Sequence, residues 1–274
     1  MTTSPHQEPH QNPQSNPHPH PNPHNTRAHS FNAAASQYAA NRPSYPPALF
    51  DTVEALAARP LTSARTVDVG AGTGIATALL QARGADVLAV EPGEGMTAEF
   101  RRTLPGVPVV RGSGNALPLA DAAADFITYA QAWHWTDPHR SVPEALRVLR
   151  PGGALALWWN TTALDVPWHA AQAHRIDRFF GRDRIVATNG SGADLALADP
   201  TGRLDFTRRA VRWSRSVPLE THLANIGSHS IFLVHDEDAT AAFLTEERRH
   251  LLDVFPDGTV EETYVVDLLV ALNA

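Results

Sequence analysis

The 274-residue chain contains no cysteine and no lysine; all 22 of its basic residues are arginine. Without thiols it can form neither disulfides nor zinc–thiolate centres, and a cysteine nucleophile is excluded. Without lysine there is no Schiff-base amine and no ammonium to grip a phosphate in a P-loop. Long apolar runs are absent as well: no stretch reaches the roughly 20 residues that span a bilayer, and the N-terminus lacks the apolar core of a secretory signal. This points to a cytoplasmic protein with no membrane partner. Positive charge is also scarce, and the net charge of −7 opposes a general nucleic-acid surface. The length suits one domain of ordinary size with an added tail or cap.

What is present begins with a compositional break. Residues 1–28 are rich in Pro, His, Asn and Gln, as in P-H-P-H-P-N-P-H from Pro17 to His24. So few apolar side chains cannot offset the entropy of ordering, so a disordered, solvated tail is expected. Its alternating His18, His20 and His24 form a tract of metal-binding composition, but no metal site is assigned. Order is expected from about Ser30, leaving 29–274 as a single domain.

The densest pattern lies at V-D-V-G-A-G-T-G, Val67 to Gly74. Thr66 to Val69 reads as a buried strand, and Ile75 to Arg83 as the following helix, with Gly84 at its C-terminal cap. Between them Gly70, Gly72 and Gly74 allow a tight turn and a close approach of ligand to backbone. Val87 to Val90 reads as a second strand that ends at Glu91, where ligands bind in open α/β sheets. A carboxylate there suits the two hydroxyls of a ribose. Two adenosine-type ligands fit this much. The dinucleotide fingerprint is G-x-G-x-x-G with a pyrophosphate on the helix N-terminus. Here the spacing is G-x-G-x-G with Asp68 just ahead, which would repel a pyrophosphate but favour a ligand carrying an ammonium and a sulfonium.

The segment resembles motif I of the class I S-adenosylmethionine-dependent methyltransferases, and Glu91 matches their ribose-binding acid. Three further stretches carry the resemblance: R-G-S-G-N-A-L-P-L (Arg111–Leu119), the strand Asp125–Ala130 with the A-Q-A-W-H-W run ending at Trp135, and L-R-V-L-R-P-G-G (Leu146–Gly153) leading into strand five, Ala154–Trp159. The resemblance implies an α/β, doubly wound, seven-stranded, mostly parallel Rossmann-like sheet with S-adenosylmethionine as cofactor. It implies cofactor contacts from Asp68, Gly70, Ala71, Gly72 and Gly74 in the loop, and from Glu91, Pro92 and Met96 after strand two. Ser113, which replaces the family's usual Asp, joins Gly114 and Asn115 beside the adenine, and Ala130 and Gln131 flank the methionine portion. The absent lysine rules out the metal-dependent catechol type, and no N-P-P-Y-like segment of the nucleic-acid amino-methyltransferases follows strand four.

The N-terminal F-N-A-A-A-S-Q-Y-A-A-N-R-P-S-Y-P-P, Phe31 to Pro47, and the A-Q-A-W-H-W run resemble the branch that includes trans-aconitate methyltransferase. In that branch the N-terminal element forms a lid, which adds Tyr38 and Arg42 to the cofactor contacts; the two share a face if helical. Trp133 and Trp135 are expected to wall the substrate side, where an aromatic face can also stabilise a sulfonium. His134 is the candidate catalytic base. Pro43, Pro46 and Pro47 end the lid, and Ala48–Ala58 reads as the next helix.

Further along, Trp168–Phe180 reads as a helix, and the region of about 161–205 as a substrate cap. Phe206–Val217 is expected as strand six, Leu219–Ile226 and Ala239–Phe255 as helices, and Glu262–Leu272 as an antiparallel strand seven. His229, Arg175 and Arg178 are read as structural or surface residues. The expected activity is methyl transfer to a small-molecule substrate, favouring an oxygen acceptor by direct in-line displacement. Other chemistry on the same cofactor and a non-catalytic scaffold are the alternatives. The intact loop, Glu91 and the A-Q-A-W-H-W run favour catalysis, and Ser113 is the one mark against.

Overall fold

The structure, a computed structural model, describes residues 41–181 and 198–274. The histidine-rich tail, Tyr38 and residues 182–197 of the expected cap lie outside the described residues.

The first half of the chain alternates strand and helix. A helix α1 (Pro47–Ala57) precedes β1 (Arg65–Val69), α2 (Ile75–Ala82), β2 (Asp86–Glu91), α3 (Glu94–Thr103) and β3 (Val109–Arg111). Next come β4 (Ala124–Ala130), a single 3₁₀ turn (Trp133–Trp135), α4 (Pro138–Val148) and β5 (Leu149–Thr162). The local reasons are legible. Gly84, at φ +83°, follows α2 in the left-handed conformation that ends helices. Asp137 caps α4 by accepting from the His139 N–H at 3.0 Å, with Pro138 at the first helical position.

The remainder is α5 (Pro167–Phe179), β6 (Thr207–Pro218), α6 (Leu219–Gly227), α7 (Ser230–Leu233), α8 (Glu237–Val254) and β7 (Thr259–Leu272). The sheet order is β3-β2-β1-β4-β5-β7-β6. β1 to β5 pair in parallel, and β7 runs antiparallel between β5 and β6. Strand five is longer than A-L-A-L-W-W implies. It starts at Leu149, across an irregularity opposite β4, and continues to Thr162 because β7 supplies partners there. The short α7 has no counterpart in the sequence reading.

Helices cover both faces of the sheet. On one, Leu49 and Phe50 of α1, Leu80 of α2 and Phe100 of α3 share a core with Ala89 of β2, Phe126 of β4 and Ala154, Ala156 and Trp158 of β5. On the other, Val142, Ala145 and Val148 of α4 pack on Leu155, Leu157 and Trp159. The alternation along β5 thus splits one continuous apolar run between two cores, as expected of a strand buried on both sides. The chain order reverses between β1 and β4, which opens a crevice at the carboxyl ends of those strands.

A third core sits apart from the sheet faces. Trp168, Ile176 and Phe179 of α5 meet Leu219, Leu223 and Ile226 of α6, with Phe232 and Leu251 from α7 and α8. The expected cap at about 161–205 therefore draws on the β6–β7 connection as well, because the apolar stripe of α5 needs a partner surface. Beneath this core, Glu247 binds Arg175 in bidentate fashion and Gln172, while Glu262 binds Arg215 and His222. Both carboxylates are buried, so these bonds are what make their burial tolerable.

Candidate active site

The glycine loop lies at the carboxyl end of β1, and all three of its glycines have positive φ. They serve different ends. A Cβ on Gly70 would stand 2.5 Å from the Ala132 Cβ, and one on Gly74 would meet Leu104 and Phe100. Gly72, at φ +58°, has nothing within 4 Å of where its Cβ would be. Gly70 and Gly74 thus close the turn against its neighbours, whereas Gly72 bares backbone to open space. Ala71 is buried in the first core.

Glu91 ties that loop to β2. Its carboxylate accepts from Gly72 N–H at 2.9 Å and Gly93 N–H at 2.7 Å, and the residue is only 6 % exposed. Burial pushes its pKa up, opposed by those two N–H bonds and by Arg111. Each oxygen keeps acceptor capacity for a further donor. Pro92 is exposed just beyond, and Met96 is buried on α3. An acidic acceptor beside bare loop backbone fits the adenosyl group of the cofactor implied by the sequence.

The expectation of a direct contact from Asp68 to a cationic ligand meets a different arrangement. Asp68 is 0 % exposed, and its two carboxylate oxygens accept from Thr77 Oγ1 at 2.6 Å and Thr128 Oγ1 at 2.9 Å. Burial drives its pKa up to about 6, against the lowering effect of the two hydroxyls. The carboxylate braces β1, α2 and β4 together under the loop. Thr77 and Thr128 were not singled out from sequence, since a hydroxyl on a helix or strand carries no local mark of a partner up to sixty residues away.

In the segment expected beside the adenine, Gly114 has no room for a side chain: a Cβ would lie 2.9 Å from Tyr129 Oη. Ser113 accepts from Asn115 N–H at 3.2 Å, while Asn115 Oδ1 accepts from Asp137 N–H at 2.8 Å. These bonds fasten the segment to the turn that follows β4.

That turn lies at the carboxyl end of β4. Ala130 ends β4, and Gln131 adopts φ +58°, a left-handed conformation that costs a non-glycine residue about 1–2 kcal/mol. Strained backbone of this kind concentrates at functional sites. Gln131 N–H donates to Trp158 O, and its side-chain Nε2 donates to Asn160 O at 3.1 Å. Trp133 is not a substrate wall: it is 2 % exposed, packs edge-on to Tyr129, and donates from Nε1 to Ala198 O. Trp135 is half-buried and lies 4.8 Å, centroid to centroid, from the exposed His134 ring. Trp159 Nε1 donates to His134 Nδ1 at 3.3 Å. In the neutral imidazole this places the proton on Nε2, so that nitrogen donates rather than accepts.

Beyond β5 there is a further set of polar contacts. Trp213 Nε1 donates to Asn160 Oδ1 at 3.0 Å, and the Trp213 ring stacks on Tyr264 at 5.3 Å. Arg42 donates to Ser228 O at 3.4 Å, and Arg215 reaches Asn41 O, so the end of the N-terminal element rests on the cap. His229 lies beside Arg42; burial, then that charge, hold its pKa down at about 3, so the ring is neutral. Among the described residues, no group of three or more His, Asp or Glu could hold a metal ion, and no helix is long and apolar enough to cross a membrane.

A family model described as a methyltransferase domain matches residues 67–157, the stretch from motif loop to β5. An uncharacterised methyltransferase of Mycobacterium tuberculosis is 43 % identical over 154 residues, covering 56 % of this chain and 60 % of that protein. The chain thus spans less than two thirds of that relative's length. A methyltransferase-like protein of Schizosaccharomyces pombe is 32 % identical over 195 residues, covering 70 % of this chain and 73 % of its own. A methyltransferase structure from Anaeromyxobacter dehalogenans shares the fold at a TM-score of 0.61 and 24 % identity, over 85 % of this chain and 98 % of that one. With the matched stretch coinciding with the glycine loop, Glu91 and the turn after β4, the chain belongs to the class I S-adenosylmethionine-dependent methyltransferases.

Proposed function

We propose that the protein is an active methyltransferase that moves the methyl group of S-adenosylmethionine to an oxygen of a small molecule by in-line displacement. The observation that carries this reading is the pairing of Gly72, bare to open space, with a Glu91 carboxylate locked beside it by two N–H bonds. Gly72 backbone and Glu91 would hold the adenosyl group, with Pro92 and Met96 beside it. Ser113, Gly114 and Asn115 would border the adenine, and Ala130, Gln131, Tyr38 and Arg42 the methionine portion.

The cofactor supplies a methyl already activated on a sulfonium, so the protein's task is alignment of the nucleophile. The acceptor oxygen forms the new C–O bond as the C–S bond breaks, and the sulfur keeps the electron pair. An ionised carboxylate needs no base. His134, with its proton on Nε2, suits holding such an oxygen by donation rather than removing a proton from it. A hydroxyl acceptor would need Nδ1, and hence release of the Trp159 bond. The third core, standing at the carboxyl end of β5, supports an enclosed, small-molecule acceptor site, and the net charge of −7 counts against nucleic acid. The likeness of A-Q-A-W-H-W to the trans-aconitate branch supports an oxygen acceptor.

Thermal unfolding with S-adenosylmethionine, S-adenosylhomocysteine and NAD tests the cofactor; only the first two should protect. Labelled methyl transfer into small carboxylates, phenols and amines tests the acceptor, with label expected in base-stable or base-labile oxygen products. Protection by NAD alone, or label confined to amines, would overturn the reading.

A further inference from the structure

Two amide side chains at the carboxyl end of the sheet, Asn160 half-buried and Asn225 buried, each leave one buried polar atom without a partner. On β5, Asn160 Oδ1 accepts from Trp213 Nε1. The indole nitrogen only donates, so this bond fixes which end of the amide is oxygen. Asn160 Nδ2 is turned the other way, is shut off from bulk solvent, and has no hydrogen-bond partner. On α6, Asn225 is 5 % exposed and its Nδ2 lies 3.4 Å from Tyr264 Oη. That amide nitrogen donates to the Tyr264 hydroxyl oxygen. Asn225 Oδ1 is left buried and unpartnered.

One aromatic pair, Trp213 stacked on Tyr264, links the two amides, since Asn160 bonds Trp213 and Asn225 bonds Tyr264. Asn160, Trp213 and Tyr264 belong to the same side of the sheet, because Trp213 pairs with Tyr264 across β6 and β7 while Asn160 pairs with Val266, two residues on, and Asn225 reaches Tyr264 from α6. Asn160 also sits against Gln131, whose Nε2 donates to its carbonyl. Buried polar atoms normally find partners, and an orphan donor and an orphan acceptor on the two amides that bond one aromatic pair are a reason to look for a ligand that supplies both.

We propose that Asn160 Nδ2 and Asn225 Oδ1 are the specificity-determining polar contacts of the methyl-acceptor site, with the Trp213–Tyr264 stack as the apolar surface between them. The inference rests on the small-molecule methyltransferase reading above and names its substrate class. The acceptor carries a carbonyl or carboxylate oxygen for Asn160 and a hydroxyl or N–H for Asn225. The guanidinium groups of Arg175 and Arg215 are paired with Glu247 and Glu262, so recognition on this surface depends on hydrogen bonds rather than on their charge.

The test uses the full chain, S-adenosylhomocysteine titration, and labelled methyl transfer into a panel of hydroxy acids, hydroxyaryl ketones and their amides. Asn160→Asp keeps the oxygen that Trp213 needs and replaces the donor with an acceptor. It should raise the acceptor KM at least tenfold while kcat and the affinity for S-adenosylhomocysteine stay within twofold. Asn225→Leu should do the same more weakly, and Trp213→Phe, which releases the Asn160 amide, should fall between wild type and Asn160→Asp. Should Asn225→Leu fail to fold, Asn225→Ser gives the same readout. Unchanged acceptor KM, a parallel loss of cofactor affinity, or a wild type that binds S-adenosylhomocysteine yet methylates nothing in the panel would each overturn the inference. A wild type that does not bind S-adenosylhomocysteine instead overturns the underlying methyltransferase reading.

Discussion

Replacing Asp68 with asparagine isolates what the acid of the glycine-loop motif does. In the folded protein Asp68 is wholly buried between two threonine hydroxyls, with its pKa raised from an ordinary 3.8 to about 6. A carboxyl whose folded pKa lies above its unfolded value contributes stability below the unfolded value, and that contribution is lost as pH rises through the folded one. At ~1.4 kcal/mol per pH unit, the gap makes ionised Asp68 cost ~3 kcal/mol at neutral pH relative to strong acid. About 2 kcal/mol of this falls between roughly pH 4.5 and 7.5, most of it below pH 6.5. The amide that replaces the carboxyl does not titrate. The stability of Asp68→Asn relative to wild type should therefore rise by that amount over the same range, whatever fixed offset the substitution brings. For a domain of this size the difference in Tm should move by about 4–8 °C. Paired thermal melts at matched ionic strength read it directly, and differencing the two proteins cancels every other titrating group. A flat difference across that range would mean that Asp68 is ionised at no cost, and so has a cation or water that the closed threonine cage leaves no room for.

The two loop glycines should separate folding from binding. Gly72→Ala should lose about 1–2 kcal/mol to its left-handed backbone yet bind S-adenosylhomocysteine at least tenfold more weakly, by calorimetry. Gly70→Ala should be the less stable of the two in denaturant titration, because its Cβ also collides with Ala132. Glu91→Gln places an N–H where Gly72 or Gly93 already donates, and should weaken the same ligand by about 1–3 kcal/mol, read by titration. For His134, Ala should slow a carboxylate acceptor less than tenfold, while Trp159→Phe, which frees Nδ1, should leave that rate nearly intact. A hundredfold loss in His134→Ala with a bell-shaped pH profile would instead identify a general base.

Most of the sheet and the backbone of the site were legible in the residues, for local reasons. Alternation and β-branched runs mark strands, and glycines mark the turn at Gly70–Gly74, where all three take positive φ. Glu91 stood out because an acid closing an apolar strand lies where such sheets bind ligands. Asn160, whose role is proposed above, directly follows A-L-A-L-W-W, where the same rule directs attention, although β5 runs on to Thr162. Trp133 and Trp135 were indistinguishable by sequence, since one turn of 3₁₀ helix sends neighbours to opposite environments. Only one of them meets the carbonyl of Ala198.

Local residue order thus dictated where the backbone turns and which loop could cradle an adenosyl group, because those properties depend on residues within a few positions of each other. The tertiary structure decided what the side chains do there. Asp68 became a brace because Thr128 arrives on the adjacent strand, and His134 acquired its tautomer from Trp159 on the next. The proposed acceptor side draws on β7 and α6, brought from the far end of the chain to lie beside β5. Contacts between distant segments follow from how strands order themselves in the sheet, and no local pattern of residues records that order.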